Sequence, residues 1–210
     1  MNRSLREFDA LKDVPVRMIR ESLEDIPQYE PPEGFVLRTY RPGDQAHWLR
    51  IHLAADKLNA FTESTFREQF GEDEALLRER QFYLLDPSQT PIGTTTAWFG
   101  DDSQGASWGR VHWVAIVPDM QGKGLSKPLM SVACHRLREL GHRRAYLTTR
   151  TGRLPAVSLY LKFGFRPRIR NEEERAAWGD VASALGMDLR EMTSRKRRSD
   201  NPANSKGLGG

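Results

Sequence analysis

The segment that most constrains this chain of 210 residues is an apolar strand that leads into a glycine-rich turn and then a long helix. Residues 110–117 have apolar side chains at both odd and even positions, so both faces of a strand there would be apolar. This pattern favours a central strand that is covered on both faces. The turn contains Gln121-Gly122-Lys123-Gly124-Leu125-Ser126, and residues 124–140 have the apolar spacing of an amphipathic helix. This order predicts a strand–turn–helix unit with two glycines at the start of the helix.

Such a unit is suited to binding an anion. The first turn of a helix has backbone amides without an intrahelical partner, and the helix dipole adds partial positive charge there. Gly122 and Gly124 let the backbone approach a phosphate and adopt conformations that other residues avoid. A diphosphate is the ligand that this arrangement suits best.

Two well-known glycine motifs do not fit the turn. A P-loop requires Gly-Lys-Ser/Thr, but Lys123 is followed by Gly124. A dinucleotide fingerprint requires a third glycine where Lys127 stands. A third pattern, Gln/Arg-x-x-Gly-x-Gly/Ala, is met by Gln121 and Gly124, with the small residue Ser126 at its last position. Taken alone, this segment is equally open to a glycine turn without a ligand.

A second motif stands some distance further along the chain. Residues 156–165 read Ala-Val-Ser-Leu-Tyr-Leu-Lys-Phe-Gly-Phe. With the turn at 121–126, they resemble the two motifs of the GNAT superfamily of N-acyltransferases, which bind acetyl-coenzyme A. The resemblance extends over residues 35–169 in element order and is specific over 110–165. The family's usual asparagine before the second motif is Arg153 here.

The resemblance implies an α/β fold of the GNAT acyl-CoA N-acyltransferase type, with a central mixed sheet of six or seven strands flanked by helices. It also implies three parts. Residues 1–34 are expected to be an N-terminal arm packed on the domain, 35–190 the acetyltransferase domain, and 191–210 a basic disordered tail. Four prolines in residues 1–34 favour short helices or an arm, and the first clear strand is predicted at 35–40.

The family's geometry implies where acetyl-CoA binds. A bulge splays the central strand from its neighbour, and the freed backbone groups pair with the pantetheine arm. The turn holds the diphosphate with its amides, and two lysines add charge-assisted contacts. Arg153 would meet a phosphate in place of the asparagine. The expected coenzyme-binding residues are Val114, Ala115, Ile116, Gln121, Gly122, Lys123, Gly124, Leu125, Ser126, Lys127 and Arg153.

Two residues are candidates for the chemistry. Tyr160 matches the family's tyrosine near the sulfur and is the expected general acid for the leaving thiolate. His112 matches the histidine of arylalkylamine N-acetyltransferases and is the expected base. A core aromatic and a structural histidine remain the respective alternatives. Arg110, on the same strand face as His112, is a candidate for contacting an anionic part of the substrate.

No metal site is expected. His47 and His52 are five residues apart and do not share a helix face well, which argues against zinc. Cys134 has no histidine placed to activate it and is expected in the core. Asp101 and Asp102 are candidates for attracting a cationic amine, with a solvated turn as the alternative.

The charge pattern limits the partners. The net charge of +4 belongs entirely to residues 195–210, and the rest of the chain has 27 basic and 27 acidic residues. No specific nucleic-acid binding is therefore expected. The longest apolar run is too short to span a bilayer, and Met1–Asp9 lacks the apolar core of a secretory signal. A single cysteine makes the cytoplasm the expected compartment.

The expected function is the direct transfer of an acetyl group from acetyl-CoA to an amine of a small molecule or protein, and the expected partner is a small-molecule or peptide amine. The alternative is a non-catalytic acyl-CoA-binding module, which would need neither Tyr160 nor His112. The sequence does not name the acceptor. A homodimer is expected only because dimers are frequent in the family.

Overall fold

The computed structural model describes residues 12–57, 59–101 and 107–194. The strands within these ranges are β1 Pro15–Arg20, β2 Val36–Thr39, β3 Gln81–Leu85, β4 Pro91–Phe99, β5 Trp108–Ile116, β6 Arg144–Arg150 and β7 Arg166–Arg168. The helices are α1 Asp44–Ala55, α2 Glu63–Phe70, α3 Glu74–Arg80, α4 Ser126–Glu139, α5 Leu154–Lys162, α6 Glu172–Leu185 and α7 Leu189–Thr193. No helix among the described residues is long and apolar enough to cross a membrane.

The strands form one mixed sheet in the order β2-β3-β4-β5-β6-β1-β7. All neighbouring pairs are antiparallel except β5 and β6, which run parallel. The parallel pairing is short, because only Trp108–Arg110 of β5 pairs with β6. The fold therefore confirms the expected mixed sheet of six or seven strands flanked by helices, and the number is seven.

Strand β1 departs from the sequence-based expectation for residues 1–34. These residues were expected to form short helices or an arm, but β1 is hydrogen-bonded between β6 and β7. Val16 and Met18 point into the core and are almost fully buried. The alternation that marks β1 is short and begins at Pro15, which hid the strand within a proline-rich segment.

The helices pack in two layers. On one face, α4, α5 and α6 bury a large apolar core against β5, β6 and β1. On the other face, α1 and α2 pack an aromatic cluster, including Trp48 and Phe70, against the sheet. This second layer and the opening between β5 and β6 together determine where a substrate can enter.

The strands predicted at 35–40 and 110–117 and the helix predicted at 124–140 are confirmed as β2, β5 and α4. Gly43 is the capping residue of α1, and Asp44 is the first residue of the helix. The Asp44 carboxylate accepts hydrogen bonds from both Nη atoms of Arg38 and from Arg41 N. The expected tail at 191–210 begins within α7, and residues 195–210 lie outside the described part of the chain.

Candidate active site

A cleft opens where β5 and β6 separate. The two strands are paired as far as Arg110 and Tyr146, and beyond this point they diverge. A bulge in β5 follows, where Trp113 adopts a left-handed conformation with φ of 51° and the register to β4 shifts. The resulting cleft has a volume of about 690 Å³. The splayed strand expected from the sequence is therefore present.

The edge of β5 that faces the cleft has free backbone groups. Successive residues of a strand direct their peptide groups to opposite edges. Because Val117 N donates to a carbonyl of β4, the peptide groups of Val114 and Ile116 face the cleft and those of Ala115 face β4. Gln121 Nε2 donates to Ile116 O over 2.9 Å. Of the three predicted pantetheine contacts, Val114, Ala115 and Ile116, Val114 therefore has the backbone groups that are best placed for hydrogen bonding to a ligand in the cleft.

The glycine turn lies at the open end of the cleft. Gly122 and Gly124 have φ values of 74° and 78°, which side-chain-bearing residues rarely adopt. A Cβ atom at either position would meet no atom within 4 Å, so the space in front of the turn is open. Leu125 is almost fully buried and anchors the turn in the core. The sequence therefore correctly identified the backbone conformation that this turn requires.

The electrostatics of the turn are suited to an anion. The N-terminus of α4 has no side-chain cap and no acidic residue in its first turn. Lys123 is exposed, and its Nζ lies 3.4 Å from the Met120 sulfur. Lys127 Nζ lies 5.3 Å from the centroid of the Tyr29 ring. Neither lysine lines the cleft, so their expected phosphate contacts stay a prediction.

Tyr160 lines the cleft from α5. Arg20 of β1 fixes the end of this helix, because its Nη1 donates to Phe163 O and its Nη2 donates to Glu24 O over 2.5 Å. Gly164 allows this approach, since a Cβ there would lie 2.6 Å from Arg20 Nη1. The strand that the sequence did not reveal thus helps to position the candidate acid.

The hydroxyl of Tyr160 is protonated at neutral pH. Burial raises its pKa to about 12, and the charge of Arg153 opposes this shift. Its ring packs against Phe165, with 6.5 Å between the centroids. The hydroxyl forms no hydrogen bond with another described residue, so it is available to a ligand in the cleft.

His112 lies in the cleft wall, and Gln69 fixes its tautomer. The indole Nε1 of Trp113, which can only donate, lies 3.0 Å from Gln69 Oε1. The same oxygen lies 3.2 Å from His112 Nε2, so this nitrogen carries a proton. His112 Nδ1 is then the ring atom with a lone pair that can accept a hydrogen bond.

The environment of His112 disfavours its charged form. Burial lowers the pKa of His112 well below its usual range, and Arg110 and His52 lower it further. His112 is therefore neutral at physiological pH and is a weak base. Its expected role as base stays a prediction, and the geometry favours hydrogen bonding through Nδ1.

His52 is a second histidine of the cleft wall that the sequence analysis considered only as a zinc ligand. Its Nδ1 donates to Trp48 O over 2.9 Å, and its Nε2 is buried with no hydrogen-bond partner among the described residues. Burial lowers the pKa of His52 to about 4. A helical stripe of Trp48, Ile51 and His52 indicates this inward position, because these residues share one face of α1.

Arg153 does not face the diphosphate turn directly. Its Nη2 lies 2.8 Å from Asp56 Oδ2, which follows the last residue of α1. This salt bridge joins the start of α5 to the end of α1 across the cleft. The expected phosphate contact of Arg153 therefore competes with a carboxylate that the sequence did not associate with it.

Several other side chains have structural roles. Cys134 is fully buried, and burial raises its pKa to about 12, so the thiol is unreactive as expected. Asp101 pairs with Arg17, whereas Asp102 lies outside the described residues. Within the described ranges, no group of three or more acidic, histidine or cysteine side chains is arranged to hold a metal.

Comparison with protein families gives a match that covers most of this site. The model described as "Acetyltransferase (GNAT) family" matches residues 47–165, which include the glycine turn, the cleft and Tyr160. The chain belongs to this family. The match covers more than half of the chain and includes both motifs that the sequence analysis identified.

Curated relatives of the chain include proteins named mycothiol acetyltransferase. The protein of Geodermatophilus obscurus is 31% identical over 169 residues, which cover 72% of this chain and 52% of the relative. The protein of Nocardia farcinica is 34% identical over 157 residues, which cover 68% and 48% of the two chains. This chain thus spans about half the length of these curated relatives.

Solved structures show the same fold. A GCN5-related N-acetyltransferase from Sphaerobacter thermophilus has a TM-score of 0.60 at 22% identity, covering 78% of this chain and 52% of that one. The ribosomal-protein-S18-alanine N-acetyltransferase from Escherichia coli has a TM-score of 0.53 at 19% identity, covering 64% and 79%. At this level of identity the similarity shows the fold alone.

Proposed function

We propose that this protein transfers the acetyl group of acetyl-CoA directly to an amine. The observation that carries the proposal is the cleft that runs from the glycine turn to Tyr160 in a chain of the GNAT family. One end of the cleft has the free amides and positive charge that a diphosphate requires, and the other has a protonated hydroxyl.

The residues present fit acetyl-CoA as a co-substrate. Amides from Gly122 to Lys127 would hold the diphosphate, because the open space before the two glycines leaves them accessible. Lys123 and Lys127 would contribute charge. The peptide groups of Val114 would pair with the pantetheine arm at the freed edge of β5.

Acetyl-CoA supplies an activated acyl group and a thiol leaving group. Tyr160 is the proposed donor of a proton to the departing sulfur, since its hydroxyl is protonated and lines the cleft. His112 Nδ1 is proposed to accept a hydrogen bond from the neutral acceptor amine and so orient its lone pair toward the acyl carbon. As the C–N bond forms and the C–S bond breaks, the amine nitrogen loses one proton to solvent, which balances the proton that Tyr160 gives to the sulfur. A neutral amine is required because an ammonium has no lone pair.

The acceptor is proposed to be a small molecule. The curated relatives are named mycothiol acetyltransferases, and the Arg153–Asp56 pair crosses the cleft between α1 and α5. A peptide amine is the less favoured alternative, because this pair lies across the cleft. The cytoplasm stays the proposed compartment, and the homodimer stays a prediction.

Calorimetric titration with acetyl-CoA, followed by thiol release assays on a panel of amines, tests this function. Binding together with amine-dependent thiol release is expected. Binding without turnover on any acceptor would instead support the acyl-CoA-binding module, which requires only the glycine turn. Absence of acetyl-CoA binding would contradict both functions.

A further inference from the structure

Arg110 lies where the cleft closes, because it is the last residue of β5 that pairs with β6. Its Nη2 donates to Thr148 Oγ1 over 3.1 Å, and Thr148 is exposed. Its Nε is buried and has no hydrogen-bond partner in the described part of the chain. The guanidinium thus has donors that the protein leaves unused, and it is reachable from solvent at one end.

The charge of Arg110 is not balanced by a carboxylate. Two other arginines of the cleft lining have an acidic partner, Arg150 with Asp13 at 2.5 Å and Arg153 with Asp56 at 2.8 Å. Nearby Arg17 also has one, Asp101 at 2.8 Å. Arg110 forms no such pair within the described ranges. Lys57 also lines the cleft, but it is exposed at the rim and donates to Leu53 O.

Tyr146 provides a rigid floor beneath two of these arginines. Its buried ring lies 4.4 Å from Arg17 Cζ and 5.9 Å from Arg110 Cζ. Its hydroxyl accepts a hydrogen bond from Asp101 N over 3.0 Å, which attaches the β4–β5 connection to the same place. Stacking on an aromatic face holds a guanidinium plane in position and lowers the entropy lost when it binds.

We propose that Arg110 binds a carboxylate of the acceptor, so that the substrate class is an amine that also carries a free carboxylate. The inference rests on the proposed function and identifies its substrate more closely. A guanidinium presents two parallel donors to the two oxygens of a carboxylate. One unpaired guanidinium also matches the single charge of a carboxylate better than the double charge of a phosphate.

The position of Arg110 relative to the chemistry agrees with a small amino acid. Arg110 and His112 are two residues apart on β5, and residues so spaced lie on one face with Cα atoms roughly 7 Å apart. An amine held by His112 and a carboxylate held by Arg110 would therefore be separated by only a few bonds. An α-amino acid or a close analogue has this spacing.

Matched acceptors test the proposal directly. The twenty common amino acids, their amides and their aminophosphonate analogues would be compared as acceptors by thiol release. We expect kcat/KM for at least one free acid to exceed that for its amide by about 10- to 100-fold, the range for a charge-assisted hydrogen-bonded pair. Equal turnover of acid and amide, or preference for the phosphonate, would overturn the proposal.

Variants assign the preference to Arg110. Arg110→Gln should reduce the ratio of kcat/KM for the acid to that for the amide to near one. Arg110→Lys should retain part of this ratio, because lysine keeps the positive charge but lacks the two parallel donors of the guanidinium. Arg144→Gln is the control, because Arg144 is on the same sheet but pairs with Glu21 outside the cleft. An unchanged ratio in a folded Arg110→Gln protein would overturn the assignment.

A binding measurement separates failure of this inference from failure of the proposed function. Calorimetry with free amino acids on the coenzyme A-loaded protein should show binding that is lost in Arg110→Gln. Acetyl-CoA binding without binding of any acid would overturn only the carboxylate subsite. Acid binding that depends on Arg110, in a protein that does not bind acetyl-CoA, would support the subsite and overturn the acetyl-CoA assignment.

Discussion

Arg153 at the start of α5 and Asp56 after the end of α1 form a salt bridge of 2.8 Å that joins the two walls of the cleft. Asp56 is mostly buried and Arg153 is about one third exposed, so solvent screens the pair only in part. The pair therefore holds the cleft at its present width and competes with phosphate for the Arg153 guanidinium.

A double-mutant cycle on this pair is the first prediction. Asp56→Asn and Arg153→Gln should each destabilise the fold, with a coupling energy of about 1 kcal/mol, as for partly exposed ion pairs. Chemical denaturation of the two single variants and the double variant gives this value. Additive effects would mean that the pair does not hold the cleft walls together.

The second prediction concerns the glycine turn. Gly124→Val should weaken acetyl-CoA binding by about 10- to 100-fold, because φ of 78° is strained for valine and its side chain would fill the open space. Gly141→Val is the matched control, since Gly141 has φ of 86° and equally open surroundings outside the cleft. Both variants should lose similar stability, but only Gly124→Val should change the Kd measured by calorimetry.

The third prediction concerns Tyr160. Tyr160→Phe should lower kcat by about 10²-fold, because it removes only the hydroxyl that is proposed to donate a proton. The Kd for acetyl-CoA should stay nearly unchanged. Tyr40→Phe is a control, since the Tyr40 hydroxyl bonds to Gln45 rather than facing the cleft. Loss of acetyl-CoA binding in Tyr160→Phe would show that the residue is structural.

The fourth prediction concerns stability at acidic pH. The pKa of His52 is about 4 in the folded protein and about 6.5 when unfolded, so the unfolded chain binds more protons between these values. The contribution of His52 to the free energy of unfolding is therefore fully present above pH 6.5. It decreases by about 3 kcal/mol in total as the pH is lowered toward 4.

Between pH 4 and 6.5, the variant His52→Phe should have a smaller slope of unfolding free energy against pH. The decrease should correspond to one proton fewer bound on unfolding. His112, whose pKa is also lowered, continues to contribute to the remaining slope. Urea denaturation at a series of pH values measures both slopes. An identical slope in the variant would show that His52 is not kept neutral by burial.

The part of the site that could be predicted from sequence is the part encoded locally. The glycine turn is a short segment whose conformations depend on its own residues, and Tyr160 lies in a contiguous motif. The Arg153–Asp56 pair and the Gln69–His112 contact were not predicted, because each joins residues far apart in sequence. Only the tertiary structure brings these side chains together.

Strand β1 was missed for a related reason. Its inward positions are Val16, Met18 and Arg20, and an arginine at a core position breaks the pattern that marks a strand. The burial of Arg20 becomes reasonable only when its carbonyl partners are known, because these come from Phe163, Ser22 and Glu24. No local propensity indicates such a set of acceptors.

The position of β1 also has a consequence for how the chain is made. Synthesis proceeds from the N-terminus, so β1 leaves the ribosome long before β6 and β7, the strands on either side of it. Until β6 and β7 have been synthesised, β1 has no partner in the sheet. Strands β6 and β7 are not paired with each other, so β1 must lie between them to complete the sheet. Among the strands of the described residues, β1 is therefore the first to be synthesised and one of the last to find its partners.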